Sequence, residues 1–458
     1  MIAPARLAAY DVLQAVAAGR ADLPSALLRG RDRLADERDR ALTGEIATGT
    51  LRWQAAFDFL IARFAARGPA SLDPEILTIL RASMFQLLHL DRVPASAVVD
   101  DAVQMARRVR KGSAAGFVNA LLRRVSRERG HLPLPAAPSS GDSREAALNF
   151  LSVTLSHPRW LVERWLDRVG LEQAAAWARF NNAPAALTLR ANVLRGSRDA
   201  LAAALAAAGV DTVPGRYARN ALIVTKGNPL LTPLARTGQF VVQDEASQLV
   251  GEFAAAGAGD AVLDTCAAPG GKTLQLAAAA GDGGRVVAVD MRPRRVALLA
   301  RTIADAGVST VRVVSADARA PLPFRRVFDT VLVDAPCSGL GTIRRDPDVK
   351  WRRAERELAE LASMQLDLLT HAAACVAPGG HVTYATCSSE PEENEQVVAA
   401  FLERHPAFAA APSAEFPFSA RRAALVGGDG WLRTRPDRDG LEAFFAARLV
   451  KSAAVVHS

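Results

Sequence analysis

The sequence predicts an α/β protein whose larger, C-terminal part is a doubly wound sheet, preceded by an all-helical region and a small α/β module. From about residue 238, near-continuous apolar runs alternate with helix-length segments, as expected of parallel strands buried on both faces. Before residue 131, apolar side chains instead recur at helical spacing. We therefore expect a helical domain at 1–130, a linker at 131–147, a small α/β module at 148–237 and a larger α/β domain at 238–452.

Composition and charge narrow the class of protein. The chain has 458 residues, of which 50% are hydrophobic and 23% charged, so several globular domains can each bury a core. The first twenty residues carry charges and lack the apolar core of a signal peptide, and no later run suits a membrane span, so we expect a cytoplasmic protein. The net charge of +8 points to a polyanionic partner such as nucleic acid.

The first 130 residues contain five stretches with apolar residues at helical spacing. In the last stretch, Phe117, Leu121 and Val125 form one stripe, while four arginines lie away from it, namely Arg123, Arg124, Arg127 and Arg129. These arginines either contact nucleic acid or form a solvated face, and the pattern leaves both interpretations open. The stretches are 6–19, 38–66, 74–90, 96–111 and 113–130.

The small module mixes helices and strands. A helix is expected at 157–170, and the run 187–192 reads as a strand. A second helix is expected to start after Ser197, which suits an N-cap, and to stop at Gly209. The run 221–226 reads as a further strand, but the pattern of this module does not indicate a function.

Four of the five predicted strands of the larger domain end in aspartate. The strands are 261–264, 285–290, 311–317, 329–334 and 381–386, and the aspartates are Asp264, Asp290, Asp317 and Asp334. Ligands of doubly wound sheets bind beyond the carboxyl ends of the strands, so these side chains should line one crevice. Carboxylates there suit ribose hydroxyls and exocyclic amines, which predicts a nucleoside-containing cofactor.

Two nucleotide-binding motifs fail in the loop after the first strand. The stretch CAAPGGKT ends like a phosphate-binding loop, but Cys266 stands where that loop requires glycine and Pro269 where it wraps phosphate. The dinucleotide fingerprint fails too, since only Gly270 and Gly271 are present. The pattern favours S-adenosylmethionine, with its ribose at Asp290, its adenine near Asp317 and its methionine part at the glycine pair.

The cysteines indicate which methyl transfer to expect. Cys337 and Cys387 each follow a predicted strand, whereas Cys375 is expected in the core. Attack of a thiolate on C6 of cytosine makes C5 nucleophilic towards a methyl donor, so a thiol at this edge points to cytosine C5 methylation. The spacing of cysteines and histidines predicts no metal site.

Four stretches carry a family resemblance: LDTCAAPGGKT, DAPCSGLGTIRRDPDVKW, TYATCSSEPEENE and GQFVVQDEASQLV. They resemble the motifs of the NOL1/NOP2/Sun family of RNA 5-cytosine methyltransferases, in particular its members that act on 16S ribosomal RNA. The first 130 residues, with RVPASAVVDDAVQMARR and GFVNALLRR, resemble the domain shared with the antitermination factor NusB. The resemblance implies a methyltransferase domain that binds S-adenosylmethionine and a helical domain that helps to select RNA.

The resemblance also implies a role for each motif residue. Cys387 would attack C6, Cys337 would assist release of the product, and Asp334 would hold the cytosine edge and border the cofactor. Lys272 would reach the target base. The implied cofactor-binding residues are Cys266, Ala267, Ala268, Pro269, Gly270, Gly271, Lys272, Asp290, Arg295, Asp317 and Asp334.

The sequence departs from the family motifs at two positions, and the role of some basic residues and the identity of the substrate have alternative interpretations. Thr265 and Asp346 stand where the family commonly has alanine and histidine, and neither is an implied catalytic position. Basic residues after Cys337 are expected either to grip phosphate or to form a solvated loop; they are Arg344, Arg345, Lys350 and Arg352. The expected partner is 16S ribosomal RNA, free or in an early assembly particle, bound by a monomer. A different RNA such as tRNA, or a role as a non-catalytic RNA-binding factor, remains the alternative.

Overall fold

The computed structural model describes residues 2–139, 141–412 and 420–453. Contacts between residues divide the chain into two compact units. The first comprises Met1–Pro184 and Ile343–Glu355, and the second comprises Ala185–Thr342 and Arg356–Ser458. The segment Ile343–Glu355 therefore packs with the N-terminal helices, although in sequence it lies inside the larger α/β domain.

The helices and strands follow in chain order. The helices are α1 (Pro4–Ala17), α2 (Leu23–Arg31), α3 (Glu37–Arg52), α4 (Gln54–Ala65), α5 (Pro74–His89), α6 (Ala95–Arg108), α7 (Ala115–Glu128), α8 (Arg144–Asn149), α9 (Arg159–Asn182), α10 (Arg198–Ala207), α11 (Glu245–Phe253), α12 (Gly271–Ala280), α13 (Pro293–Ala306), α14 (Val349–Arg352), α15 (Glu357–Ala373), α16 (Glu395–Arg404), α17 (Ala420–Ala423) and α18 (Pro436–Asp439). The strands are β1 (Thr188–Ala191), β2 (Asp211–Pro214), β3 (Ala221–Lys226), β4 (Phe240–Val242), β5 (Ala261–Asp264), β6 (Arg285–Asp290), β7 (Val311–Ser315), β8 (Phe328–Asp334), β9 (Val376–Thr386), β10 (Phe408–Ala410), β11 (Leu432–Thr434) and β12 (Phe444–Lys451).

The N-terminal helices of the first unit occur where their apolar spacing predicts them. The stretch 38–66 forms two helices, because the chain leaves helical geometry at Trp53 between α3 and α4. Helix α2 has no counterpart among the predicted stretches; the Asp22 side chain caps it by accepting a hydrogen bond from the Ser25 backbone N–H (2.9 Å). The predicted stripe on α7 is confirmed at Leu121 and Val125, which are buried in the helical core.

The segment Ile343–Glu355 is fixed to the first unit by a buried lysine. The Lys350 side chain is fully buried, and its Nζ donates to the carbonyl oxygens of Arg52 (2.9 Å) and Ser156 (2.5 Å). The indole Nε1 of Trp351 donates to the Leu51 carbonyl (2.6 Å). Both predicted roles for Lys350, a phosphate contact and a position in a solvated loop, are wrong. Its ammonium group is buried and donates to backbone carbonyls inside the protein.

The small sheet of the second unit has the order β2-β3-β1-β4, and all its neighbours are antiparallel. The predicted strands correspond to β1 and β3, and helix α10 starts at the predicted cap, where Ser197 Oγ accepts from the Ala200 N–H (3.1 Å). The edge strands β2 and β4 were absent from the prediction, since each is short and neither has a buried side chain. Helix α9 runs to Asn182, beyond the predicted end, with a break at Gly170 (φ +76°).

The large sheet has the order β10-β12-β9-β8-β5-β6-β7, with β11 paired to β12. Strands β5 to β9 are mutually parallel, and all five were predicted from their apolar runs. Strands β10, β11 and β12 form an antiparallel edge of the sheet beside β9. This edge was not predicted from the sequence. Alternate residues of β5 face different cores: Val262 packs with α11 to α13, while Leu263 packs with α15 and α16. Both faces are thus covered, which confirms the doubly wound prediction.

Candidate active site

The candidate site lies where the strand order reverses. From β5 the chain proceeds outwards through β6 and β7, then returns to the other side of β5 as β8 and continues to β9. At such a switch point the loops that follow neighbouring strands diverge and leave a crevice. The Thr265 backbone N–H donates to the Leu332 carbonyl oxygen (3.0 Å), so the loops after β5 and β8 begin side by side.

The loop after β5 turns sharply into α12. Gly270 has φ +108° and precedes the helix, and a Cβ at this position would lie 3.0 Å from Leu299 Cδ1. Glycine therefore meets both a backbone and a packing requirement here. The loop is pinned to β6, because the Ala268 N–H donates to Asp290 Oδ2 (3.3 Å) and Arg295 Nη2 donates to the Ala268 carbonyl (2.6 Å).

A cavity of about 240 Å³ opens beyond the ends of β5, β6 and β7. Of the predicted cofactor-binding residues, Cys266, Asp290, Arg295 and Asp317 line it, whereas Ala267 to Lys272 and Asp334 do not. Its apolar wall includes Met364 and Leu368 of α15. Carboxylates beside an apolar wall fit a nucleoside, whose hydroxyls and amine donate hydrogen bonds and whose base is apolar on its faces.

Each of the two cavity carboxylates has an arginine partner. Asp290 Oδ2 accepts from Arg295 Nε (3.0 Å), and Asp317 Oδ2 accepts from Arg319 Nη2 (2.8 Å). The hydrogen bond from Arg319 lowers the pKa of Asp317, so this carboxyl is ionised at neutral pH. An ionised carboxylate accepts about four hydrogen bonds, which leaves capacity for a ligand.

Lys272, at the start of α12, and Asp334, at the end of β8, form an ion pair. Lys272 Nζ lies 2.8 Å from Asp334 Oδ2, and the two side chains are 11% and 30% exposed. Burial opposes the charge of Lys272, but the attraction of Asp334 outweighs it, with a smaller contribution from Cys387, so the pKa of Lys272 is raised. The pair places a fixed cation near the Cys387 sulfur.

The two predicted thiols face each other. Cys337 Sγ and Cys387 Sγ are 3.3 Å apart, a sulfur–sulfur hydrogen-bond distance, and both residues are half-buried. The hydrogen bond to Cys387, together with burial, raises the pKa of the Cys337 thiol well above its ordinary value. Cys337 therefore keeps its proton at neutral pH.

A buried carboxylate joins the two cysteine loops. Glu393 is fully buried, and its Oε1 accepts from the Ser338 N–H (2.7 Å) and from Gln365 Nε2 (2.9 Å). Its Oε2 accepts from Ser338 Oγ (2.5 Å) and Ser388 Oγ (2.5 Å). Because Ser338 follows Cys337 and Ser388 follows Cys387, this single carboxylate fixes the separation of the two sulfurs.

Gly341 allows the loop that contains Cys337 to approach the backbone at Cys387 closely. The Gly341 N–H donates to the Cys387 carbonyl (2.9 Å). A Cβ at Gly341 would overlap the Ala443 carbonyl oxygen and would come within 2.7 Å of the Cys387 carbonyl oxygen. The second glycine of the CSGLG stretch is thus required by packing.

The other cysteines and the first strand-end aspartate are structural. Cys375 is buried in the core, as predicted. Burial raises the pKa of the Cys266 thiol, so this group borders the cavity as a neutral side chain. Asp264 is 1% exposed and accepts from Thr273 Oγ1 (2.7 Å), so it ties β5 to α12 and does not line the crevice as predicted.

The structure thus brings Cys337, Cys387, Lys272 and Asp334 into one group, and Cys266, Asp290, Arg295 and Asp317 around the neighbouring cavity. Sequence reasoning missed Glu393 as the link between the loops. The signal was present in the PEENE stretch, but an acidic run is ordinarily a solvated face.

Two other kinds of site are absent from the residues that the structure describes. Within the described ranges, no helix combines the length and apolar character that crossing a bilayer requires. In the same ranges, no group of three or more histidine, cysteine, aspartate and glutamate side chains is placed to hold a metal ion.

Three family profiles match the chain. The profile described as 16S rRNA methyltransferase RsmB/F matches residues 254–450, and the NusB family profile matches residues 3–127. A ferredoxin-like domain profile of RsmF/B-like methyltransferases matches residues 157–230. These matches confirm the predicted fold class and the resemblance noted from the motifs.

Known proteins match over nearly the whole chain. The probable ribosomal RNA small subunit methyltransferase B of Bacillus subtilis is 34% identical over 418 residues, covering 91% of each chain. The ribosomal RNA small subunit methyltransferase B of Pseudomonas putida is 36% identical over 404 residues, covering 88% of this chain and 89% of its own. The crystal structure of PH0851 superposes with a TM-score of 0.79 at 26% identity, covering 98% of this chain and 99% of that one.

Glu393→Gln tests whether one carboxylate holds the two cysteine loops. A glutamine amide presents one oxygen where the carboxylate presents two, so donors from Ser338, Ser388 or Gln365 lose an acceptor. Each hydrogen bond to a charged group contributes about 1.5–3 kcal/mol. We expect a lower melting temperature and faster alkylation of Cys337 and Cys387 in the folded protein. The matched control is Glu403→Gln on the exposed face of α16; equal behaviour of the two variants would contradict this role.

Asp264→Asn tests the buried carboxyl at the end of β5. Burial raises the pKa of Asp264 to about 7, compared with about 3.9 in an unfolded chain. Because the folded state binds this proton more tightly, the contribution is present below about pH 4 and is lost as the pH rises to about 7. We expect the variant to show a flatter dependence of melting temperature on pH in this range and a higher melting temperature at pH 8. The exposed Asp282→Asn is the control, and curves parallel to the native protein would refute the assignment.

Proposed function

This chain belongs to the RsmB/F family of 16S rRNA methyltransferases, and from that premise we propose that it methylates C5 of a cytosine in 16S ribosomal RNA. The family assigns the general activity, which is methyl transfer from S-adenosylmethionine to ribosomal RNA. The finer assignment depends chiefly on the two thiols, which lie 3.3 Å apart in the loops after β8 and β9. Methylation of an amine or a hydroxyl has no use for such a pair.

Cys387 is the proposed nucleophile. Its thiolate attacks C6 of the cytosine, which forms a carbon–sulfur bond and turns C5 into an enamine carbon that can accept a methyl group. After methylation a base removes the proton at C5, the C5–C6 double bond forms again, and Cys387 leaves as a thiolate. The cation of Lys272 is within electrostatic range of this sulfur and stabilises negative charge at the site.

Cys337 is the proposed partner in release. Its raised pKa keeps the proton on its sulfur, and that sulfur lies within hydrogen-bond distance of Cys387. A thiol in this position donates to the sulfur that departs from C6 and so favours breakdown of the covalent adduct. Glu393 positions both groups through the serines that follow them and acts only through them.

Asp334 and Lys272 are proposed to hold the base. Asp334 lies at the end of β8, three residues before Cys337, and its carboxylate accepts a hydrogen bond from the exocyclic amine of cytosine. Its ion pair with Lys272 fixes both side chains before the substrate arrives. A preorganised pair of this kind costs little reorganisation when charge develops on the ring.

S-adenosylmethionine, when bound, supplies the methyl group as an electrophile. The residues proposed to hold it are Asp290 at the ribose, Asp317 at the adenine and the Cys266–Lys272 loop at the methionine part. The cavity lined by Cys266, Asp290, Arg295 and Asp317 supports this placement, because its carboxylates and apolar wall suit a nucleoside. We expect a monomer that acts in the cytoplasm, where ribosomal RNA is assembled into particles.

Cys387→Ala tests reaction, substrate and nucleophile together. Without its thiolate the base is not activated at C6, so methyl transfer should fall by at least about a thousandfold, in the range of losses seen on removing a catalytic nucleophile. Bisulfite sequencing of RNA from cells that lack the gene should show loss of one 5-methylcytosine in 16S ribosomal RNA, restored by the native protein and not by the variant. Cys375→Ala, in the core, is the matched control. Loss of a tRNA site instead would overturn the substrate, and full activity of Cys387→Ala would overturn the mechanism.

Cys337→Ala tests the release role. The variant retains Cys387, so attack and methyl transfer proceed, whereas breakdown of the adduct lacks its thiol donor. We expect a covalent protein–RNA species that survives denaturing electrophoresis and disappears when Cys387→Ala is added to the same chain. A variant that turns over normally, with no retarded band, would rule out this role for Cys337.

A further inference from the structure

A second and larger cavity lies away from the candidate active site. It has a volume of about 380 Å³ and is bordered by the end of β1, the end of α11 and the exposed side of α12. It shares no lining residue with the 240 Å³ cavity at the ends of β5, β6 and β7. Its volume is within the usual range of sites for small ligands, about 300–1,000 Å³.

A buried arginine forms one wall of this cavity. Arg190 of β1 is 4% exposed, and its Nη1 donates to Gln275 Oε1 (2.9 Å). A guanidinium has five N–H donors, and Gln275 is the acceptor that it meets among the residues whose structure is described. Burial lowers the pKa of Arg190 to about 10, which leaves it a cation at neutral pH.

The neighbouring carboxylate attracts this cation but is itself bound by other groups. Glu252 also borders the cavity, but its Oε2 forms an ion pair with Arg422 (3.0 Å) and its Oε1 accepts from the Arg219 N–H (3.0 Å). Across the described parts of the chain, no carboxylate lies within ion-pair distance of Arg190. A buried cation whose neighbouring carboxylate is paired with another arginine is only partly compensated, so the wall favours an anionic ligand.

The rest of the cavity is apolar with a polar rim. Four alanines are among its lining residues, namely Ala255, Ala256, Ala278 and Ala279. Asn220 and the exposed Arg219 stand at the rim, where they can donate further hydrogen bonds. One anionic group beside a small apolar surface is the pattern that a nucleotide presents, with its phosphate next to a sugar and a base.

We propose that this cavity is a subsite for the RNA substrate, in which Arg190 binds the phosphate of one nucleotide and the four alanines contact its sugar and base. The inference rests on the proposed function, since it needs a substrate with many phosphates. The open rim at Arg219 suits a nucleotide within a chain, because the strand can enter and leave there. Contacts of this kind position the RNA and carry no base specificity.

The salt dependence of RNA binding tests the proposal. Each phosphate contact adds about 0.7 to the slope of log affinity against log salt concentration for single-stranded nucleic acid. We expect Arg190→Gln to reduce this slope by about 0.7 for a transcribed fragment of 16S ribosomal RNA, and to weaken binding at low salt on the order of tenfold. The matched control is Arg404→Gln, an exposed arginine on α16, which packs on the other face of the sheet from α11 and α12; this variant should leave the slope unchanged.

Two further variants separate ligand binding from folding. Ala279→Trp, on the exposed side of α12, fills the cavity without removing a buried group and should weaken RNA binding, with the melting temperature and S-adenosylmethionine binding unchanged. Arg190→Lys retains the cation and should retain most of the slope. In steady-state assays all effects should fall on KM for RNA, with kcat preserved.

The outcomes are distinguishable. A native slope in both Arg190→Gln and Ala279→Trp, in a protein that methylates RNA normally, would overturn the subsite and leave the proposed function intact. If the native protein neither binds nor methylates the RNA fragment, both proposals fall. Inorganic phosphate serves as the second probe: stabilisation of the native protein by millimolar phosphate, absent in Arg190→Gln and without any change in the RNA slope, would assign the cavity to a free phosphate and refute the RNA subsite.

Discussion

The candidate active site depends on two neighbouring parallel strands that end at the same edge of the sheet. Strands β8 and β9 are paired in register, Asp334 opposite Ala385, so the loops that follow them start at one level. Chemistry that needs two thiols in contact is possible only if both loops turn towards each other. The buried Glu393 carboxylate and the absence of a side chain at Gly341 impose that turn.

Buried charge is used in two ways in the second unit. Around the thiols each charged group has a partner: Lys272 faces Asp334, and Glu393 accepts four hydrogen bonds from serines and a glutamine. Such pairs hold their geometry because separating them would leave a desolvated charge. At β1 the guanidinium of Arg190 hydrogen-bonds to a neutral amide, and the nearby Glu252 that attracts it is already paired with Arg422, so an anionic ligand can complete its environment.

In the first unit, backbone carbonyls take the place of charged partners for two buried or partly buried side chains. Its segment Ile343–Glu355 follows directly on the cysteine-containing loop in sequence, and Lys350 and Trp351 fix it by donating to backbone carbonyls of Arg52, Ser156 and Leu51. Those carbonyls lie at or near helix ends, where backbone acceptors lack helical partners. A basic residue in a loop can therefore serve the fold, although by composition it resembles a nucleic-acid contact.

Local patterns in the sequence determined most helices of the first unit, though not α2, together with the five parallel strands and the motif residues at their ends. These features depend on the spacing of apolar residues and on short loop motifs, and both are visible within a few consecutive residues. The antiparallel edge β10 to β12, the burial of Lys350 and the joining of the cysteine loops by Glu393 were decided by tertiary structure. Each brings together residues far apart in the chain, and whether a charged side chain meets solvent or a partner depends on what packs against it. The sequence places Cys337 and Cys387 at strand ends, but only the pairing of β8 with β9 sets their sulfurs 3.3 Å apart.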